Sequence, residues 1–355
     1  MMDGFTWRRA LKSLLTVNKG PWRWRAGLIA ALATGLPVLL FTMAGEPRLG
    51  LTTTLGSFTA LYSPQLKYSE RMQVLPLIGA GLLLGSLIGV LFAGNLGLTI
   101  FGIMIVAVLA CLLILGLQVG PPGPMMFILV TGVSGYLTTP VQQGGAGLPG
   151  QDVLLAVATG VVSSLLVVGS PLLIPSLRRR QGPPRPLSSL FGDMTFDNAT
   201  RWIAFRVVTA VFVASAVSPP LGITRAYWVV LAAVAILQAS HWIRFTMTRA
   251  LQRFLGTLGG VLVFLFLALF APAGLWLVLT VVILQFMIEL VIAKNYGLAM
   301  LFLTPLALLI STSGGKEAVV RTVAERVADT LFGAVIAVTV LLVGEWLRLQ
   351  LPARR

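Results

Sequence analysis

The chain has 355 residues, of which 57% are hydrophobic and only 10% carry a charge. A soluble domain carries about a quarter charged residues, and a mean hydropathy of +0.93 is too high for one water-soluble core. The composition therefore predicts a polytopic membrane protein. One cysteine (Cys111) and one histidine (His241) are too few for a disulfide or a zinc site, and no nucleotide-binding or hydrolase motif is present. We expect no metal, no cofactor and no enzymatic activity.

Hydrophobic runs predict twelve membrane helices, so the expected fold class is all-α. In the first half they cover residues 25–44, 49–63, 73–92, 96–117, 125–139 and 152–173. In the second half they cover residues 202–217, 227–238, 254–270, 275–293, 297–310 and 326–347. The second, eighth and eleventh are short, which fits tilted, broken or re-entrant segments that are shielded from lipid.

The predicted domains follow from these runs. Residues 1–24 form an interfacial helix, 25–173 the first six-helix repeat, 174–201 a basic linker, 202–347 the second repeat and 348–355 a tail. In the linker, apolar side chains at helical spacing predict a second interfacial helix over residues 187–194.

Basic residues orient the chain. The net charge of +15 could indicate nucleic acid, but Lys and Arg accumulate on cytoplasmic loops in membrane proteins. With the N-terminus inside, 21 of the 26 Lys and Arg residues lie inside and five outside. The prediction is a bacterial inner-membrane protein in contact with the bilayer, with both termini cytoplasmic and no nucleic-acid partner.

The two halves resemble each other in sequence. A shift of 177 residues superposes Gly45 on Gly222, Arg48 on Arg225 and Gly79 on Gly256, and a later shift of 173 superposes Thr131 on Thr304 and Gly160 on Gly333. Because six helices per half is an even number, both halves enter the membrane the same way round. We therefore expect two parallel repeats related by a pseudo-two-fold axis along the membrane normal.

The stretch RFTMTRALQRFLGTLGG places Arg249 and Arg253 four residues apart, on one helix face at a cytoplasmic helix mouth. Snorkelling arginines that anchor the helix are one interpretation. An electropositive vestibule that collects anions is the other. The glycines that follow, at 256, 259 and 260, favour close helix packing.

The second hydrophobic segment, LGLTTTLGSFTALYSPQ, is too polar to face lipid. Thr52 and Thr59 belong to one stripe at helical spacing. Helix packing through hydroxyl groups and a water-filled path lined by hydroxyl groups are both consistent with this pattern.

Acidic residues inside hydrophobic segments are costly and therefore informative. Glu289 lies in the tenth segment, and we expect it either to pair with a cation such as Lys294 or Arg206 or to take up a proton. Asp329 lies one turn inside the twelfth, three residues after Arg326, where a structural ion pair is the alternative to a proton-coupling role. The residues predicted to couple protons or to form ion pairs are therefore Glu289, Asp329, Arg326 and Arg206.

Four stretches, RAYWVVLAAVAILQ, TRALQRFLGTLGG, KNYGLAMLFLTPLALL and RVADTLFGAV, resemble in order and spacing the membrane domain of the fusaric acid resistance and aromatic acid exporter family. Plant aluminium-activated malate channels are more distantly similar. The likeness is clearest over residues 225–344 and weaker in the first half, where Pro76 replaces an arginine. A site made of the family's arginines would therefore be lopsided toward the second half.

The resemblance implies a carrier that exports small organic anions, aromatic or other weak carboxylic acids. From the residues themselves, we expect Arg249 and Arg253 to attract the anion. Because no nucleotide-binding motif is present, we expect a proton gradient to drive export, with Glu289 as the coupling residue. The predicted substrate-binding residues are Arg249, Arg253, Tyr227, Trp228, Asn295, Tyr296, Thr52 and Thr59. A passive anion channel and a non-transporting scaffold or assembly protein remain alternatives, and the chain could work alone or as a homo-oligomer.

Overall fold

The computed structural model describes residue 16 and residues 22–191, 194, 196–311 and 316–350. Within these residues the chain is helical and contains no strand, which confirms the all-α class. The predicted interfacial helix over residues 1–24 lies almost wholly outside the described residues. The first-half helices are α1 (Trp24–Met43), α2 (Pro47–Thr52), α3 (Thr54–Ser57), α4 (Tyr68–Leu91), α5 (Leu96–Ala110), α6 (Met125–Thr138) and α7 (Gly150–Gly169). The linker and second half contain α8 (Pro175–Gln181), α9 (Asn198–Val217), α10 (Ala226–Leu237), α11 (Ile243–Leu269), α12 (Leu275–Val291), α13 (Tyr296–Ser311) and α14 (Lys316–Gln350).

Seven of the described helical segments are long and apolar enough to cross a membrane by length and composition: α1, α4, α5 together with the π-helical turn Cys111–Leu115 that continues it, α7, α9, α11 and α14. Four further apolar helices, α6, α10, α12 and α13, are shorter. A helix rises 1.5 Å per residue, and a hydrocarbon core is about 30 Å thick. The shorter helices therefore need the shielding of their neighbours at either end.

The second predicted segment is not one helix. It is divided into α2, α3 and a 3-10 turn over Phe58–Leu61. Threonine hydroxyl groups compete with the helical amides here: Thr53 donates to the carbonyl of Gly50 at 2.6 Å, and Thr54 donates to that of Leu51 at 2.7 Å. Such local bonds tighten or break a helix.

The outer surface carries the apolar belt that a lipid environment requires. On α11, Leu262 and Leu269 are 68% and 80% exposed, whereas Gly256, Gly260 and Phe264 on another face are buried. An exposed apolar surface of this extent is stable only against lipid or another protein. The charged side chains that α11 buries must therefore face inward, toward other helices.

Glycines bring pairs of helices into close contact within each half. In the first half, a Cβ added to Gly85 would meet the Thr131 side chain on α6 at 2.8 Å. In the second half, a Cβ on Gly260 would meet the Thr304 side chain on α13 at 2.6 Å. Distances this short exclude any larger residue, so α4 crosses α6 and α11 crosses α13 at small-residue contacts.

A second pair of glycines makes a similar contact. A Cβ on Gly160 of α7 would lie 2.0 Å from the carbonyl oxygen of Thr53, and one on Gly333 of α14 would lie 2.5 Å from that of Val229. In the second half, α14 thus packs on α10. In the first half, α7 packs in the corresponding way on the broken α2–α3 segment.

Contacts between the halves also occur in pairs. Helix α1 packs against α12, and α9 packs against α5. Near the centre, α6 packs against α10, and α2 packs against α13. Each contact between a first-half helix and a second-half helix therefore has a counterpart in which the two halves are exchanged.

The linker is held to the first half by an ion pair. Arg185 Nε donates to Glu70 Oε1 at 2.8 Å, and Gln73 donates to the carbonyl of Arg185 at 3.2 Å. The expected interfacial helix over residues 187–194 is, within the described residues, only a 3-10 turn at Leu187–Ser189.

Candidate functional site

Tyr296 lies between Arg249 and Arg253 of α11. It is the first residue of α13, and its hydroxyl accepts a hydrogen bond from Arg253 Nη1 at 2.5 Å. The guanidinium carbon of Arg249 lies 3.5 Å from the centre of the same ring. Arg253 is 1% exposed, so it is not a snorkelling anchor that reaches water.

A third arginine, Arg326 on α14, belongs to the same group. It is fully buried, and its guanidinium carbon lies 4.8 Å from the centre of the Trp228 ring on α10. It interacts electrostatically with Arg253 and with Tyr296. We call Arg249, Arg253, Arg326, Tyr296 and Trp228 the guanidinium cluster.

The guanidinium cluster has more donors than acceptors. Among the described residues, Nε and Nη2 of Arg253 and all three guanidinium nitrogens of Arg326 are buried without a hydrogen-bond partner. Taking an unpaired ion out of water costs several kcal/mol, and two like charges close together add repulsion. An anion between the two groups would relieve both penalties, and the planar fork of arginine suits carboxylates in particular.

Asp329 offsets this charge only in part. It lies on α14, is 4% exposed, and its Oδ2 has no hydrogen-bond partner among the described residues. It interacts electrostatically with Arg326, Arg225 and Glu325. No ion pair within 4.0 Å forms between Asp329 and Arg326 in the described part of the chain. A spacing of three residues puts Arg326 and Asp329 on neighbouring turns of α14, but their charged groups do not form an ion pair.

Arg225 extends the charged network toward one end of the bundle. It pairs with Glu325, donates to the hydroxyl of Tyr136 at 3.2 Å, and lies 5.2 Å from the centre of the Trp228 ring. Sequence reasoning did not assign Arg225 or Tyr136 to the site. The sequence feature that marks Arg225 is its correspondence with Arg48 in the first half.

Tyr227 and Trp228 are 7% and 2% exposed. Their rings lie 5.7 Å apart, and Tyr227 also packs against Tyr136 at 5.3 Å. Residues that anchor a helix at the membrane interface must reach that interface. These two rings are instead enclosed by other helices and pack against Tyr136, Arg225 and Arg326.

The threonines of the second segment bond to their own helices. Thr52 donates to the carbonyl of Arg48 at 3.0 Å, and Thr59 donates to that of Gly56 at 2.8 Å. Ser57 and Ser163 both donate to the carbonyl of Ala33, each at 2.9 Å. These contacts favour helix packing over a path lined by free hydroxyl groups.

Glu289 lies apart from the guanidinium cluster. Helix α12 ends at Val291, so Glu289 is in its last turn, where it is 7% exposed and interacts electrostatically with Arg23 and Arg71. The partners expected from the sequence contact other groups. Lys294 lies 4.2 Å from the centre of the Trp22 ring, and Arg206 pairs with Glu345 on α14.

Asn295 fixes the start of α13. Its Oδ1 accepts from the amide of Leu298 at 3.0 Å, and its Nδ2 donates to the carbonyl of Thr16 at 3.0 Å. An asparagine in this position caps a helix start. Because Tyr296 is the next residue, this cap fixes the start of α13 where the Tyr296 ring contacts Arg249 and Arg253.

An apolar belt around helices that bury a cationic cluster defines a polytopic integral membrane protein. Residues 207–340 match the fusaric acid resistance protein-like family, which confirms the resemblance drawn from the sequence. The matched range contains every member of the guanidinium cluster. The chain is also similar to an uncharacterized membrane protein, YvaC, of Bacillus subtilis (strain 168), with 23% identity over an alignment that covers 92% of this chain and 73% of that protein. No solved structure matches the chain.

Proposed function

We propose that this protein is an inner-membrane transporter that exports organic anions, with aromatic or other weak carboxylic acids as substrates. The observation that carries the proposal is the pair Arg253 and Arg326. Both are buried, they interact with each other, and five of their guanidinium nitrogens have no hydrogen-bond partner within the described residues. A buried cation without a partner in a membrane protein indicates a functional site.

The surroundings of these donors favour a flat anion. Trp228 lies against Arg326, and Tyr296 lies against Arg249. Two aromatic rings beside two guanidinium groups suit a planar acid whose carboxylate accepts hydrogen bonds while its body contacts the rings. The family match adds a second line of support, since the family is described as fusaric acid resistance protein-like, and fusaric acid is an aromatic carboxylic acid.

The proposed architecture is two parallel six-helix repeats, residues 25–173 and 202–347, with both termini cytoplasmic. The paired contacts between halves support it: α1 with α12 and α9 with α5, α6 with α10 and α2 with α13. The excess of Lys and Arg on one side supports the orientation. A path between the repeats would pass the guanidinium cluster.

For proton coupling, Asp329 is better placed than Glu289. Asp329 interacts electrostatically with Arg326, so a change in its charge would alter the field at the proposed anion site. Glu289 interacts instead with Arg23 and Arg71 at the end of α12. We therefore assign coupling to Asp329 in a carrier, whereas a passive channel would need neither carboxylate.

The proposal is tested by flux of labelled benzoate in proteoliposomes. We expect Arg326→Gln and Arg253→Gln to reduce flux at least about tenfold, a loss of about 1.4 kcal/mol of binding or more. Arg178→Gln and Arg179→Gln are the matched controls, because both arginines are exposed on α8. Equal losses in all four variants at matched expression would contradict the site. Absence of flux from the unaltered chain, together with copurifying proteins, would favour a scaffold.

A further inference from the structure

A cavity of about 350 Å³ lies where the two halves meet, at the end of the bundle that holds Arg48 and Arg225. Its walls come from α2, from the end of α6 with the loop that follows it, from the residue before α10 and from the last turns of α13. In the proposed topology this is the extracytoplasmic end. The guanidinium cluster does not line it.

The cavity wall is amphipathic. Arg48, Thr52, Tyr136 and Arg225 contribute polar groups, and the leucine and isoleucine side chains at 51, 137, 309 and 310 contribute apolar surface. Ligand pockets are mostly apolar, with a few polar groups that fix orientation, and have volumes of about 300 to 1,000 Å³. The volume here is at the small end of that range.

The two arginines of the cavity differ in their partners. Arg225 is held by Glu325 and by the Tyr136 hydroxyl. Arg48 is exposed, and among the described residues it forms no ion pair and its guanidinium donates no hydrogen bond. Arg48 is therefore the cation in this wall that is available to a ligand.

The cavity is lined by residues that correspond between the halves. Arg48 corresponds to Arg225 at a shift of 177, and Tyr136 corresponds to Leu309 at a shift of 173. A space lined by such pairs lies on the proposed pseudo-two-fold axis, where a path between parallel repeats would run. Arg225 also links the cavity to α14 through Glu325, the residue before Arg326.

We propose that this cavity is a second anion-binding site, which takes an amphipathic monocarboxylate. The carboxylate pairs with Arg48, and the hydrocarbon part packs on Leu51, Leu137 and Leu309. The direction of movement through the site rests on the proposed function, but binding at the site does not. In an exporter it would be the last site before release.

Cysteine protection in the purified, detergent-solubilised chain tests the proposal without any transport. In a Cys111→Ala background, Val141→Cys places a thiol in the cavity wall at a position that is 66% exposed. Leu221→Cys is the matched control, because Leu221 is 61% exposed and does not line the cavity. Maleimide labelling rates are measured with hexanoate, with the uncharged hexanol and with acetate.

At a hexanoate concentration about ten times its Kd, labelling at position 141 should slow about tenfold, because about 90% of the sites are filled. Position 221 should label at an unchanged rate, and hexanol and acetate should protect less than hexanoate at the same concentration. Adding Arg48→Gln should abolish protection, and Arg48→Lys should retain part of it. Protection that survives Arg48→Gln, or that is equal at both positions, would overturn the proposal.

A phospholipid headgroup could supply the same negative charge. Mixed micelles of phosphatidylglycerol that protect position 141 more strongly than hexanoate would identify a lipid site and overturn the monocarboxylate. Benzoate flux without hexanoate protection would refute the second site and leave the proposed function standing. Protection without flux would establish the site and refute transport.

Discussion

The crossing of α4 with α6 and the crossing of α11 with α13 are built alike but differ in chemistry. In each, a glycine packs against a threonine: Gly85 on Thr131 and Gly260 on Thr304. In each half a long helix then closes over the crossing, α7 in the first and α14 in the second. Close helix packing alone therefore explains the shared features and does not require charge.

The contacts also show which residues correspond. Gly85 and Gly260 give a shift of 175 for α4 and α11, whereas the sequence comparison used 177 and paired Gly79 with Gly256. Gly79 faces Val161 of α7, and Gly256 faces Met300 of α13, so those two glycines have different roles. At a shift of 175 the counterpart of Arg253 is Ile78, not Pro76.

With these shifts, apolar residues occupy the places of the charges. Val74 and Ile78 stand where Arg249 and Arg253 stand, and Val153 and Ala156 stand where Arg326 and Asp329 stand. All four apolar residues are buried. The first crossing is a core and the second carries unpaired cations in the same framework, so the cations are present for a reason other than packing.

The largest effect is expected from moving the charge to the first half. Val153→Arg would place a guanidinium in a site with 0% exposure and without the aromatic ring that lies beside Arg326, so it should cost several kcal/mol and prevent folding or lower Tm sharply. The reverse change, Arg326→Met, should leave Tm unchanged or raise it, because an unpaired buried ion is replaced by an apolar side chain of similar size. Both are measured by thermal unfolding in detergent.

A loss of stability in Arg326→Met that matches the loss in Val153→Arg would contradict this asymmetry. It would mean that Arg326 holds the fold together, as a structural ion pair would. A stable Arg326→Met variant without benzoate flux would separate function from folding at one residue.

Helix positions could be predicted from the sequence because hydropathy is a local property of the chain. The break within residues 49–63 depends on side-chain bonds of consecutive threonines, which hydropathy does not report. The guanidinium cluster could be predicted only in part. Arg249 and Arg253 are four residues apart, but the contact of Arg253 with Tyr296 spans 43 residues and depends on tertiary packing.

Asp329→Asn should remove coupling while retaining binding. If Asp329 carries the proton, uphill accumulation driven by a pH gradient should be lost, and downhill exchange of labelled benzoate should continue. Glu289→Gln is the control, because Glu289 interacts with Arg23 and Arg71 and not with the guanidinium cluster, and it should retain both activities. Loss of uphill transport in Glu289→Gln alone would assign coupling to α12 instead. Normal uphill transport in both variants would favour a channel or another coupling group.

The smallest effect is expected from the hydroxyl that orients Arg253. Tyr296→Phe retains the ring beside Arg249 but removes the acceptor for Arg253 Nη1, so the guanidinium should lose its fixed direction. We expect benzoate Kd to rise about tenfold, which corresponds to about 1.4 kcal/mol, with little change in Tm.

Tyr62→Phe is the matched control in the first half, where the Tyr62 hydroxyl donates to the carbonyl of Gly123 at 2.7 Å. That variant should lower Tm through an unsatisfied carbonyl and leave Kd unchanged. Quenching of tryptophan fluorescence gives Kd, and thermal unfolding gives Tm. If Tyr296→Phe instead lowers Tm and leaves Kd unchanged, the hydroxyl serves packing, and the two crossings differ less in function than their charges indicate.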